Sequence, residues 1–355
     1  MKKILSFFMA CFLFVSVSNA QTLDETLQGL SQDAASAYVN PVVSAFGANL
    51  NTGWMHRVPR ATFFGIDLEF GVVAMGTMFS DENKTFSANG KFRFDRAQAD
   101  KLVPTGGIYS TAVRTKLIDE IVKKDFQVDI SGPTIVGNKN DSVVVTFPGQ
   151  DISVTGLPQA SYSIPTNTIG TPVKGFLGDA SALPLALPQI SIGTVYGTTA
   201  ALRYLPAIKI GDLGEFSYFG IGVMHNPGVW FPNPLPVDLA VGFFTQTMDV
   251  GEIFSASSTA FGLYASRTLG FSLLSLTPYA GFGFESSKVT VKYTQSLDLT
   301  GTGVTTDIPV EFELEGKNKT RIILGASLKL LAININADYN ISEYNTASLG
   351  VGVIF

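Results

Sequence analysis

The sequence predicts an all-β fold: an antiparallel transmembrane β-barrel of the outer-membrane kind, with about twelve strands and ten to fourteen possible, a folded α+β insertion and a short N-terminal helix. Three observations predict it. An export-type segment opens the chain, most of the remainder alternates with a period of two, and the last strand ends on an aromatic residue, Phe355.

Composition sets the frame. The 355 residues are 46% hydrophobic and only 15% charged, with 27 Phe, 11 Tyr, 2 Trp, 35 Gly and a positive mean hydropathy of +0.27. This chain can bury a large core, which excludes disorder. After residue 20 no apolar run reaches the roughly 18 residues that a spanning helix needs. The net charge of −5 and the lack of a basic run give no footprint for nucleic acid. Cys11 is the single cysteine, so disulfide frameworks and cysteine zinc sites are excluded, and no cofactor is implied.

Lys2 and Lys3 precede the apolar stretch Ile4–Val17, and Ser18-Asn19-Ala20 supplies the small-x-small pattern of a signal peptidase site. Residues 1–20 are therefore expected to be removed after Ala20 on export to the bacterial outer membrane. Phe8-Met9-Ala10 before Cys11 is a poor lipobox. Residues 21–40 read as a helical segment, with Leu23, Leu27 and Leu30 at helical spacing, Thr22 as N-cap and Asp24 and Glu25 in the first turn. Two placements stay open for it, a plug in the barrel or a periplasmic tail.

Residues 41–94 are expected to hold the first barrel strands, near 42–55 and 61–79, with Thr85–Phe94 as a possible third. Phe64, Ile66, Leu68 and Phe70 alternate there with Gly65, Asp67, Glu69 and Gly71. Residues 95–190 change style. Ala112–Lys124 has Val113, Leu117, Ile118 and Ile121 on one face, three short strands follow (Phe126–Ile130, Val143–Phe147, Asp151–Val154), and prolines punctuate the rest. Such a length is too great for a turn and predicts an inserted α+β unit. Were the barrel ten-stranded, that count would put the insertion on the periplasmic side.

Residues 191–355 supply the remaining strands. Alternation runs through Thr199–Leu205, Phe219–His225, Val237–Phe243, Ala260–Ser266 and Leu276–Glu285. It continues in Arg321–Leu330, Ile333–Asn340 and Ala347–Phe355, while Ser286–Lys319 reads as strands extending beyond the membrane. A ten-residue strand is about 33 Å long and, tilted by about 40°, spans about 25 Å, the height of a barrel's apolar band. The polar parity carries Gly, Ser, Asn and Ala rather than Lys and Glu, which suits a crowded lumen better than the solvated face of a sandwich. Trp54, Phe70, Tyr339 and Phe355 on the apolar parity suit interfacial girdles.

Several segments, Leu202-Arg203-Tyr204-Leu205-Pro206, Lys209 to Phe216, Phe219 to Asn226, Thr277 to Glu285 and Asp129 to Thr134, resemble an uncharacterised family of Bacteroidetes-type outer-membrane barrel proteins. These are in turn distantly similar to long-chain fatty-acid transporters, whose Asn-Pro-Ala segment is here reduced to Asn40-Pro41. The resemblance implies a fold and a location, not a catalytic residue. Phe355 with alternating residues behind it resembles the C-terminal assembly signal of such barrels, although Val353 stands where an aromatic is commoner.

No nucleophile elbow, Walker loop, H-E-x-x-H or EF-hand loop occurs, so no enzyme is expected. His56 beside Trp54 and Arg57 reads as a headgroup anchor, and His225 as an interface residue. Asp67, Glu69, Arg203, Asn334, Asn336 and Asp338 fall on the polar parities and are the candidate lumen lining, where they would form a paired wall or a polar gate. Leu183, Leu185 and Leu187, in the run Ala182 to Pro188, are expected in the insertion, lining an entry pocket or an interface. Two functional classes follow: porin-like passive transport of small hydrophobic molecules, or a structural barrel whose insertion binds an envelope protein partner. Outer-membrane lipid and the barrel-assembly machinery are the partners common to both.

Overall fold

The computed structural model describes residues 32–105, 109–154, 157–209, 214–233, 235–271, 273–297 and 306–355. The export segment and the helical leucines Leu23, Leu27 and Leu30 lie outside the described residues.

Ten strands close into an antiparallel barrel. In chain order they are β1 (Phe64–Met78), β8 (Ala182–Val195), β9 (Thr198–Lys209), β10 (Glu215–His225), β11 (Asp238–Val250), β12 (Phe254–Ser266), β14 (Leu274–Leu297), β16 (Thr320–Leu330), β17 (Ile333–Ile341) and β18 (Thr346–Ile354). The first and last of these pair, Glu69 opposite Ile354 and Thr77 opposite Thr346, which removes the open edge. A short β13 (Leu269–Phe271) and the strand β15 (Thr306–Glu315) both pair with β14 and complete a twelve-stranded sheet. The closed ring itself has ten strands, the lower end of the ten to fourteen expected, within a sheet of twelve.

The polarity of this barrel is inverted relative to a soluble sandwich. Leu263, Leu324 and Leu349 point outward and are more than half exposed, while Asn334, Asn336 and Ser348 point inward and are buried. This is the outer-membrane type of β-barrel. Tight turns at Tyr196-Gly197 and Leu331-Ala332 and the C-terminus gather at one end. Opposite lies a cap, residues 79–181. There β2 (Thr85–Phe92), β3 (Phe126–Pro133), β4 (Ser142–Phe147) and β7 (Asn167–Lys174) form one sheet, and β5 (Gln150–Val154) pairs with β6 (Leu157–Ile164).

Three helices are described. α1 (Gln32–Leu50) lies inside the cap-side half of the barrel, and α2 (Arg96–Leu102) and α3 (Thr111–Lys123) belong to the cap. Asp95 and Gln98 form a reciprocal capping box at the start of α2. α3 buries Leu117, Ile118 and Ile121 against Ile152 and Val154, giving the cap its own core. On the cap surface Arg114 donates to Asp100 at 2.7 Å and holds that carboxyl below the usual carboxylate range.

Four expectations are corrected by this topology. The strand expected near 42–55 is the C-terminal part of α1 and the turn and irregular stretch after it. In a lumen without a strand partner, a helix satisfies its own backbone groups, and Ala45 and Ala48 favour one despite Pro41. The strand from Thr85 pairs with β3, not with the barrel. The inserted unit ends at 181 rather than 190, because Ala182 begins β8. Finally, Leu183, Leu185 and Leu187 belong to the barrel wall: Leu187 is fully buried and packs with α1. Pro184 and Pro188 disguised β8, yet β9 pairs with it only from Gln189 onward, so both prolines sit where one edge lacks a neighbour.

Candidate functional site

The candidate site is the lumen, and the chain's own N-terminal segment fills it. α1 enters from the cap, where the Tyr38 hydroxyl donates to Lys174 O at 2.8 Å and the Ile135 N–H donates to Tyr38 O at 3.0 Å. Its apolar side meets Val73, Met75, Leu185, Leu187 and Val289 in one core shared with the cap. Gly47 makes this fit possible, since a Cβ there would stand 2.0 Å from Ser287 Oγ. Beyond Leu50 the chain runs on through the lumen to Pro59, whose carbonyl accepts from Asn226 at the far end.

Two arginines on strands five places apart in the ten-strand ring, hence on opposite walls, grip the middle of this segment. Arg203, on β9, is fully buried and donates to Thr52 O at 2.9 Å, Gly53 O at 2.5 Å and Gln189 Oε1 at 2.8 Å. Its guanidinium lies 4.1 Å from the Trp54 ring centre. Arg321, on β16, donates to Ala48 O, Asn51 O and Thr52 Oγ1 at 3.0, 2.9 and 2.8 Å, which caps the C-terminus of α1. Glu285 balances its charge at 2.6 Å. Gly53 adopts φ +68° with Val73 and Ser348 close by, so only glycine turns the chain here without strain.

The candidate lining residues all face inward. Glu69 pairs with His56 at 2.9 Å and accepts from Asn334 at 3.4 Å. Asp67 takes Arg57 at 3.5 Å and Arg60 at 3.1 Å. Asp338 accepts from Ser348, Tyr279 and Asn340, and Asn336 lies against Gly350. These residues do not converge on one point: Arg203 and Asp338 flank the middle of the plug, whereas Asp67 and Glu69 meet its basic tail.

Two sequence readings change. Trp54 is not a girdle residue but is buried in the lumen, stacked on Phe244 with ring centres 5.3 Å apart, over the gap left by Gly220 and Gly222. His56 is likewise no headgroup anchor. His225 sits at the turn end, its Nδ1 3.0 Å from Thr198 Oγ1. Arg321 and Glu285 were not among the sequence candidates, although a base and an acid on the polar parities of paired strands were a usable signal.

Around His56, Asp67, Glu69 and Trp54 a cavity of about 40 Å³ remains, room for a few waters and no more. Among the described residues no group of three His, Cys, Asp or Glu is arranged to hold a metal ion.

Solved structures similar to this chain include a loop L8 deletion mutant of OmpT, an outer membrane protein of Vibrio cholerae, at 12% identity over 82% of this chain and 99% of that one, with a TM-score of 0.24. An anion-selective porin from Comamonas acidovorans is similar at 12% identity over 82% of this chain and all of that one, with a TM-score of 0.17. No curated protein matches. A family model matches residues 1–355, and the chain belongs to the Family of unknown function (DUF6588).

Proposed function

We propose that this protein is a bacterial outer-membrane barrel that anchors its folded cap at the cell surface, where the cap meets an envelope partner, and that its lumen is closed to free diffusion. One observation carries the reading: the ten strands turn apolar side chains outward around a lumen that their own chain already fills. Leucine and valine on the outside of a closed sheet are stable against hydrocarbon, where each backbone polar group is paired within the barrel. With the C-terminus and the tight turns at 196–197 and 331–332 taken as the periplasmic end, the cap, by far the longest connection between wall strands, emerges at the opposite, outer end. The stretch 42–55 is not a strand, so the insertion follows the first strand and not the second. No catalytic role is assigned. His56 is engaged by Glu69, and His225 meets the Thr198 hydroxyl.

A second reading, uptake of small hydrophobic molecules, draws support from the apolar cap-side half of the lumen and from the resemblance to fatty-acid transporters. It requires residues 32–60 to move. Outer-membrane fractionation with heat-modifiable migration, followed by uptake of a long-chain fatty acid into proteoliposomes, tests both. Membrane insertion with uptake no faster than in empty liposomes is the expected result. Faster uptake would replace the closed anchor by the transporter, and recovery as a soluble periplasmic monomer would overturn both.

A further inference from the structure

One seam of the ring comes undone partway up the wall. β8 stays paired with β1 as far as Ala182 opposite Met78, and β9 with β10 as far as Lys209 opposite Glu215. Between β8 and β9 the ladder ends, among the described residues, at Gln189 opposite Arg203. The Phe79 N–H donates to Ser181 O at 2.9 Å, which turns odd-numbered residues of β8 toward β1 and even-numbered ones toward β9. The Asn226 N–H donates to Gly197 O at 2.7 Å, so by the same count the even-numbered residues of β9 face β8. Continued in register, the next rungs set Pro188 against Tyr204 and Ala186 against Pro206. Proline has no N–H. The carbonyls of Tyr204 and Ala186 therefore face the seam with no strand donor opposite, and Pro184 lacks the donor further along the same lip.

We infer that this donor-poor seam binds a lipid whose headgroup carries a primary ammonium, of the phosphatidylethanolamine class. The inference rests on the membrane orientation proposed above. Counted from the Tyr196-Gly197 turn at about 3.3 Å per residue and a tilt of about 40°, Tyr204 stands about 18 Å up and Pro184 about 30 Å, so the seam crosses the upper edge of an apolar band about 25 Å tall. Ile190, Leu202 and Tyr204, outward and exposed at the foot of the seam, meet acyl chains. The headgroups of the same lipids then lie level with the bare carbonyls. A carbonyl without a donor at the rim of hydrocarbon is costly, and an ammonium brings donors with no acceptor. Along Ala182–Ile190 and Leu202–Pro206 the one charged side chain is that of Arg203, which is buried in the lumen, so no side-chain cation competes for these carbonyls. A strand from a partner protein fits less well, because it brings as many carbonyls as N–H groups to lips that are short of donors.

The test compares two lipids of equal charge that differ in their donors. The full chain is placed in phosphatidylglycerol nanodiscs carrying phosphatidylethanolamine or phosphatidylcholine with matched acyl chains, and lipid retained per barrel is counted after a detergent wash. Phosphatidylcholine keeps the positive nitrogen but has no N–H on it. Wild type should retain phosphatidylethanolamine about tenfold over phosphatidylcholine, the effect of one charge-assisted hydrogen bond. Pro188→Ala returns an N–H to the Tyr204 rung and should remove most of that preference, with folding checked by heat-modifiable migration. Equal retention of the two lipids by wild type would overturn the proposal and leave water as the donor to these carbonyls. An undiminished preference in folded Pro188→Ala would overturn it as well, and should that variant not fold, the wild-type comparison decides alone. Failure to insert into either nanodisc would instead refute the barrel orientation on which the inference rests.

Discussion

Gly47→Ala offers the sharpest test of how the plug is seated, because two opposing effects act on one methyl group. In an isolated helix alanine is better than glycine by about 1 kcal/mol. In the barrel the new Cβ would stand 2.0 Å from Ser287 Oγ and 2.6 Å from Ser287 Cβ, on a strand that cannot recede because β12 holds it on one side and β15 and β16 on the other. Overpacking of this kind costs about 1–3 kcal/mol. The substitution should therefore destabilise the native background. In a Ser287→Gly background the same alanine should stabilise by about 0.5–1 kcal/mol, since only the helix preference is left. Ser287→Ala should rescue partly, because it removes the 2.0 Å contact and keeps the 2.6 Å one. Trp54, buried at the foot of the plug, reports the transition by its fluorescence during urea unfolding of the lipid-embedded protein. The double-mutant cycle cancels the helix term and leaves the clash. If Gly47→Ala were stabilising in the native background, or if the cycle closed to zero, α1 would not sit against β14 as described.

Two further outcomes are expected. Leu187→Ala should cost about 2–5 kcal/mol in the same unfolding assay, the range for a fully buried leucine, and should leave any partner bound to the cap in co-purification. Loss of the partner without loss of stability would return Leu187 to a surface role. Deleting Phe355 removes the N–H that donates to Leu68 O at 2.8 Å and the edge contact with Phe70. The folded, heat-modifiable fraction should fall while export continues, and unchanged assembly would make this residue incidental.

Period-two patterning made the barrel legible because the wall strands alternate outward apolar with inward small or polar residues along much of their length, as with Leu328, Ile335 and Leu349 against Ser327, Asn336 and Ser348. The lining residues followed from the same parity, which is why Glu69, Arg203 and Asp338 were found without any motif. What stayed hidden has physical reasons. β8 carries two prolines, and α1 has no clean polar face to mark it as a helix, since wall and cap enclose most of its length and bury Tyr38, Ser44, Asn49 and Leu50 alike. Phe46, Ala48 and Leu50 consequently mimic a strand. The grip of Arg203 and Arg321 on backbone carbonyls has no sequence signature at the gripped end, because any residue offers a carbonyl.

The pairing of β1 with β18 also fixes an order of events. Glu69 and Ile354 are separated by nearly the whole described chain, so their contact is among the most non-local a protein of this length can make, and such contacts form late and slowly. Residues 32–60 thread the space that this seam encloses. A barrel that zipped shut first would face the topological problem of drawing a helix and its tail through a finished ring. The economical route seats the segment while the ring is still an open, curling sheet, so that Arg203 and Arg321 find Asn51 to Gly53 before the seam closes and the stopper becomes the mould around which the bottle sets.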